Sequence, residues 1–243
     1  MSDLRDVLRG ATFYDVSPPI DDRAPVFPGH PPVEIEADAR THERDGYFLQ
    51  RLAFGEHVGS HVDAPAHAVA ALADRTIDSF PVERFVAPYV KYDLSTHALR
   101  PGDLVSGATL REVEARDGFR PHPGDVAIVE YGWDAHLRQD SDDPADREWW
   151  IRNAPGLADD ACLHLVAAGV TGVASDTATC DTAVVDGVIT SDVGHTRYFL
   201  PNEILLFEGL VGLGRAPCRG VFICLTLRIR GGSGSPIRAV LVC

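Results

Sequence analysis

Lysine is nearly missing from this chain: Lys91 is the only one in 243 residues. Arginine carries almost all the positive charge, which fits coding bias in a GC-rich genome. Basic side chains total 22 against 36 acidic ones, a net charge of −14. Such a field repels phosphate backbones and anionic lipid, so neither nucleic acid nor a membrane surface is expected as a partner. Long apolar runs are missing too. No stretch approaches the roughly 18 residues of a membrane span, and Met1 to Val16 is too polar for a secretory signal. The five cysteines (162, 180, 218, 224 and 243) form no Cys-x-x-Cys pair. An odd number of scattered thiols fits a reduced, cytoplasmic protein. Two catalytic signatures are also lacking: a Gly-x-Ser-x-Gly elbow, which argues against a serine nucleophile, and the His-Glu-x-x-His helix of zinc proteases.

What remains is an ordinary globular composition, 45% hydrophobic and 24% charged, long enough for one large domain with a full core. Apolar runs at Phe13–Ser17, Val86–Leu94, Val126–Tyr131, Val170–Ala174 and Ile204–Phe207 read as strands. Phe48, Gln50, Leu52 and Phe54 alternate in period two, predicting a strand that feeds the segment after it. Thr109–Ala115 and Leu157–Ala168 read as helices, the second stopped by Gly169. Polar Gln139–Arg147 reads as an exposed loop. Val221–Ile229 and Ile237–Val242 read as a hairpin around Gly231-Gly232-Ser233-Gly234-Ser235. A glycine-rich run between two strands, with no helix after it, predicts a turn and not a phosphate cradle. Strands and helices do not alternate regularly. The expected fold class is therefore α/β, a mixed, strand-rich single domain over residues 1–243, and not a doubly wound parallel sheet.

The densest chemistry lies in Glu56-His57-Val58-Gly59-Ser60-His61-Val62-Asp63-Ala64-Pro65-Ala66-His67. Three imidazoles and a carboxylate within eleven residues are the ligand types of a hydrolytic metal. Gly59 and Pro65 disfavour a helix. A turn at Gly59 would bring His57 toward His61, and His61 and Asp63, two apart, share one side of extended chain. Scattered histidines or a pH switch are the plainer alternatives, but four such groups at this density weigh toward a metal. Open catalytic sites use three side chains plus water. Further candidates are His195 and Glu208, the latter at the end of a buried strand, where a carboxylate needs a partner. A satisfied core histidine and a salt-bridged glutamate are the plainer readings of these two. Phe27, Phe48, Trp133, Trp149 and Trp150 are candidates for an aromatic substrate pocket or for simple core packing.

His57-x-Gly59-Ser60-His61-x-Asp63-x-Pro65-x-His67 resembles the His-x-Gly-Thr-His-x-Asp-x-Pro-x-His signature of the Putative cyclase family, which includes bacterial kynurenine formamidase and isatin hydrolase. Asp15-Val16-Ser17, Phe27-Pro28-Gly29, Tyr131-Gly132-Trp133-Asp134, Pro155-Gly156-Leu157, Ser175-Asp176-Thr177 and the 231–238 run extend the likeness over nearly the whole chain. Ser60 departs from Thr, His30 from Asp, Ala68 from an aromatic, and Thr177-Ala178-Thr179 from Thr-Pro-Ser. The His195–Glu208 interval is about one residue longer than the family pattern. The resemblance implies a swivelling β/β/α fold assembled as a homodimer or homotetramer. It implies that His57, His61 and Asp63 hold a first metal, that Asp63 bridges to a second completed by His195 and Glu208, and that His67 transfers protons. One or two zinc ions are implied, with manganese as the alternative. The implied activity is hydrolysis of a small non-peptide amide, such as N-formylkynurenine to kynurenine and formate. A cyclic amide or lactone hydrolase like isatin hydrolase, or a cyclase in secondary metabolism, is the alternative. From another class comes a non-catalytic, metal-stabilised binding protein whose ligands saturate the metal.

Overall fold

Val126–Glu130 is apolar apart from its last residue, buried at all five positions, and bounded by glycine turns. Such a run suits the middle of a parallel sheet covered on both faces. The structure, a computed structural model describing residues 3–243, places it there. The main sheet has nine strands: β1 (Phe13–Asp15), β2 (His61–Asp63), β3 (Val86–Asp93), β4 (Val126–Glu130), β5 (Gly172–Ser175), β6 (Leu205–Glu208), β7 (Arg219–Ile223), β8 (Gly234–Pro236) and β9 (Val240–Val242). Their spatial order is β1-β9-β7-β3-β4-β5-β6-β2-β8. The central run β3-β4-β5-β6 is parallel, and every strand outside it pairs antiparallel. Strands from both ends of the chain thus share one sheet, and the mixed α/β class expected from the pattern is the one observed.

Helix α1 (Leu4–Gly10) precedes the sheet. Helices α2 (Gly107–Asp117) and α4 (Asp159–Ala168) make the crossovers β3→β4 and β4→β5 and pack against each other. Ser106 caps α2 by accepting the Thr109 N–H. Gly169 ends α4 at φ 77°, a left-handed conformation that favours glycine. Leu110, Leu165 and Leu157 bury one core between these helices and the sheet. The opposite face closes around a second core that includes Ile77, Phe207 and Phe222.

Three expectations change. Gln139–Arg147 is not all loop: α3 runs from Pro144 to Arg152, with Asp143 accepting the Ala145 N–H and Pro144 in the first turn, where its missing N–H costs nothing. The 48–54 strand (Leu49–Ala53) does lead into the His-rich segment. It pairs only with Glu34–Arg40, however, as a separate two-stranded arm whose second strand is exposed throughout. The C-terminal hairpin is real where Val221 pairs with Val242 and Ile223 with Val240. The glycine-rich run is more than its turn, because Gly234–Pro236 leaves the hairpin and adds an edge strand against β2. Pro236 fits there because an edge strand leaves some N–H positions unused.

Candidate metal centre

The site is assembled by strand register. His61 and Asp63 lie on the same side of β2 because side chains alternate. Antiparallel pairing sets Glu208, the last residue of β6, directly opposite His61. His61, Asp63 and Glu208 are all buried. Ser60 ties the two strands at their shared end by donating its Oγ–H to the Gly209 carbonyl, 2.8 Å, so the hydroxyl kept in place of threonine is used. His57 reaches the group through a turn at Gly59, φ 58°. His195 arrives from Gly194–Tyr198, a π-helical turn.

Two triads result, His57/His61/Asp63 and Asp63/His195/Glu208, and each can present ligand atoms within 4.8 Å of one another. Asp63 belongs to both. His57 Nδ1 lies 2.6 Å and His61 Nε2 3.6 Å from Asp63 Oδ1. His195 Nε2 lies 3.5 Å from Asp63 Oδ2 and 3.3 Å from Glu208 Oε1. His61 Nε2 lies 3.2 Å from Glu208 Oε2. The other nitrogen of each ring faces outward. His61 Nδ1 is 2.9 Å from the Gly59 carbonyl, which can only accept. His195 Nδ1 is 2.6 Å from Asp181 Oδ1. His57 Nε2 is 2.8 Å from Ser233 Oγ. Once deprotonated, the inward nitrogens can present lone pairs to a metal, as metal-binding imidazoles do.

Electrostatics point the same way. Burial works to lower His61, yet the Glu208 and Asp63 carboxylates outweigh it and push its pKa up to about 9. Burial likewise opposes protonation of His195, but Asp181, Asp63 and Glu208 hold it well above its ordinary value. Asp63 and Glu208 stay below the usual carboxylate range despite burial, because imidazoles surround them. The pocket therefore holds an excess of negative charge that protons or a divalent cation can neutralise. Glu208 Oε1 is buried and has no hydrogen-bond partner among the described residues. A buried carboxylate held between two imidazoles, with His195 Nε2 3.3 Å from Oε1 and His61 Nε2 3.2 Å from Oε2, fits a cation, so the residues present suit a metal ion.

His67 stands beside this group and is less buried. Its Nε2 is 3.6 Å from Asp63 Oδ2, and its ring lies 4.0 Å from that of His57, centre to centre. Burial lowers its pKa; Asp63 opposes that, while His57 and His195 add to it. A cavity of about 270 Å³ opens above, with Phe27, His30, Leu137, Trp150 and Ile189 in its wall. Of the five aromatic candidates, only Phe27 and Trp150 line it. Phe48 is exposed on the arm. Trp133 is core, donating its Nε1–H to the Asn153 carbonyl, and Trp149 stacks on Trp133 outside the cavity. Three polar partners escaped the sequence reading: Asp181, Ser233 and Glu56. None sits at a diagnostic spacing.

A large curled sheet that brings imidazoles and carboxylates together beneath a cavity defines a metal-dependent hydrolase. The sequence profile described as Putative cyclase matches residues 14–182, and the chain belongs to that family. Kynurenine formamidase of Paracidovorax citrulli is 30% identical over 237 residues, covering 94% of this chain and 95% of that protein. Isatin hydrolase of Roseibium aggregatum is 28% identical over 223 residues, covering 86% of this chain and 81% of that protein. The solved structure of isatin hydrolase A from Ralstonia solanacearum superposes with a TM-score of 0.85 at 24% identity, covering 100% of this chain and 98% of that one, so the two share a fold.

Proposed function

We propose that the chain hydrolyses a small aryl amide of the N-formylkynurenine type. His57, His61 and Asp63 hold one metal ion, and Asp63, His195 and Glu208 hold a second. The observation that carries this reading is the pair of triads sharing Asp63 at the floor of the cavity, with His67 at their edge. Zinc suits this nitrogen- and oxygen-rich set, with manganese as the alternative. When bound, the metal supplies a hydroxide nucleophile near neutral pH and draws charge from the carbonyl oxygen.

The chain's own residues do the rest. Phe27 and Trp150 face the organic part of the substrate. His67, lowered below its ordinary value by burial, is neutral near pH 7 and takes the proton of the attacking water. As the new C–O bond forms and the C–N bond breaks, the same ring returns that proton to the leaving nitrogen. Formate and a free amine are the products. Ala68 lies in the cavity wall where the family pattern carries an aromatic. The smaller side chain leaves room for a ring, which keeps cyclic amides and lactones as the second reading. Comparing kcat/KM on N-formylkynurenine and isatin, with the protein loaded with zinc and then manganese, decides between them. Higher activity on isatin reverses the ranking, and turnover of neither, with metal tightly bound, favours a metal-stabilised binding protein.

The same proposal includes self-association as a dimer or tetramer. A two-stranded arm is marginal alone, and this one exposes Tyr47, Phe48, Leu49 and Leu52. Light scattering of wild type and a Phe48→Ser/Leu52→Ser variant tests it; a monomeric wild type refutes it. No described helix is long and apolar enough to cross a membrane, and a cytoplasmic location suits five free thiols.

A further inference from the structure

The three inward-facing imidazoles are not supported alike. His61 rests on a backbone carbonyl and His195 on a buried carboxylate, whereas His57 rests on a serine 176 residues away. That serine is not free to point anywhere. Ser233 N–H and Ser233 Oγ–H both reach Glu56 Oε2, at 2.9 and 2.7 Å. With its proton committed to Glu56, the hydroxyl accepts from His57 Nε2–H, which leaves Nδ1, 2.6 Å from Asp63 Oδ1, as the nitrogen that shares a proton with that carboxylate and gives it up to a metal. The Ser233 carbonyl accepts the Ala64 N–H, 2.9 Å, locking the serine to the end of the strand that carries His61 and Asp63. The flanking glycines share the task. A Cβ on Gly234 would meet His57 Cε1 at 2.6 Å, and one on Gly232 would meet Glu56 Oε1 at 2.7 Å. A run that reads as a turn is thus shaped to let Glu56 and His57 approach.

We infer that Glu56 and Ser233 form a positioning relay that fixes the orientation and tautomer of His57, with Gly232 and Gly234 providing the clearance. The inference rests on the reading of His57 as a metal ligand. The His57 and His67 rings lie 4.0 Å apart, centre to centre, at a tilt of 41°, so a shift of the His57 ring also reaches His67. Outer partners of this kind typically change metal affinity 10–100-fold.

The test uses the full chain stripped by chelator and titrated with zinc alone against a chromophoric competitor, alongside the thermal melt of the metal-free protein. Ser233→Ala is expected to weaken zinc binding about 10–100-fold, while Ser233→Thr, which keeps the hydroxyl, restores it. Adding Glu56→Ala to Ser233→Ala is expected to cost little more, because the two residues act in one chain. Nitrogen-15 NMR of the wild-type His57 ring in the zinc-loaded protein is expected to show the proton on Nε2. His57→Ala separates the two layers of the argument. If it binds zinc as wild type does, the ligand reading itself fails. If it loses zinc while Ser233→Ala retains wild-type affinity, the relay fails and the ligand reading stands. An Nδ1–H tautomer in the zinc-loaded wild type also overturns the relay.

Discussion

Asp181 is the most informative residue to change, because it is fully buried and its two oxygens do two separate things. Oδ1 accepts from His195 Nδ1 at 2.6 Å, and Oδ2 accepts the His195 backbone N–H at 3.2 Å. Asparagine keeps the shape but offers one acceptor. If its oxygen stays on Nδ1, its amide N–H₂ opposes the backbone N–H, donor to donor. If it flips, the N–H₂ opposes Nδ1, and the ring proton must move to Nε2, the nitrogen that faces Asp63 and Glu208. Either arrangement misaligns or blocks His195. Asp181→Asn should weaken the Asp63/His195/Glu208 site by about 10–100-fold, or about 1.4–2.7 kcal/mol. The His57/His61/Asp63 site, with no direct contact to Asp181, should change by less than about threefold. Competition against a zinc indicator resolves the two equivalents, and the melt of the metal-free protein checks the fold. Unchanged affinity of both sites in a folded Asp181→Asn protein would refute the tautomer reasoning.

Other expectations are simpler. His67→Ala should retain both metal equivalents and lose about 10²–10⁴ in kcat; a fully active variant removes His67 from the chemistry. His61, pushed up to about 9, and His195, also raised, carry protons at pH 7 in the metal-free protein and must shed them to bind. Zinc binding should therefore release protons into weakly buffered solution at pH 7, and apparent affinity should climb as pH rises from 7 toward 9, where His61 loses its proton. Affinity that is flat from pH 7 to 9 contradicts this. A Cβ on Gly156 would fall 2.2 Å from the Asp181 carbonyl and 2.6 Å from the Ala183 nitrogen. Gly156→Ala should cost about 1–3 kcal/mol of stability by overpacking, and a melt equal to wild type would show that the backbone can give way.

Much of the site was legible because its core is local. His57, Gly59, His61 and Asp63 lie within seven residues, and turn chemistry with side-chain alternation suffices to face them together. Glu208 was legible only as a carboxylate ending a buried strand; its position opposite His61 is a matter of sheet register, which no local pattern encodes. Asp181 and Ser233 were not legible, because each acts through a ring 14 or 176 residues away. Helix α3 was missed because Gln139–Arg147 was weighed by polarity, although Asp143-Pro144 is a start signal for a helix on the surface. Gly234–Pro236 was hidden by its glycines and proline, which suit a turn as well as an edge strand. The aromatic candidates were the weakest reading: a ring's chemistry does not say which side of the wall it faces, and Trp133 and Trp149 turned out to pack on each other.

The central claim is that catalysis depends on metal held by His57, His61, Asp63, His195 and Glu208. The most direct test titrates chelator-stripped protein with zinc, and separately with manganese, while recording bound equivalents and the rate of N-formylkynurenine hydrolysis together. The account predicts no measurable rate without metal and a rate that rises in step with occupancy, levelling at about two equivalents per chain, the capacity of two triads that share Asp63. Full activity in the stripped protein, or a protein that binds neither metal, would contradict it.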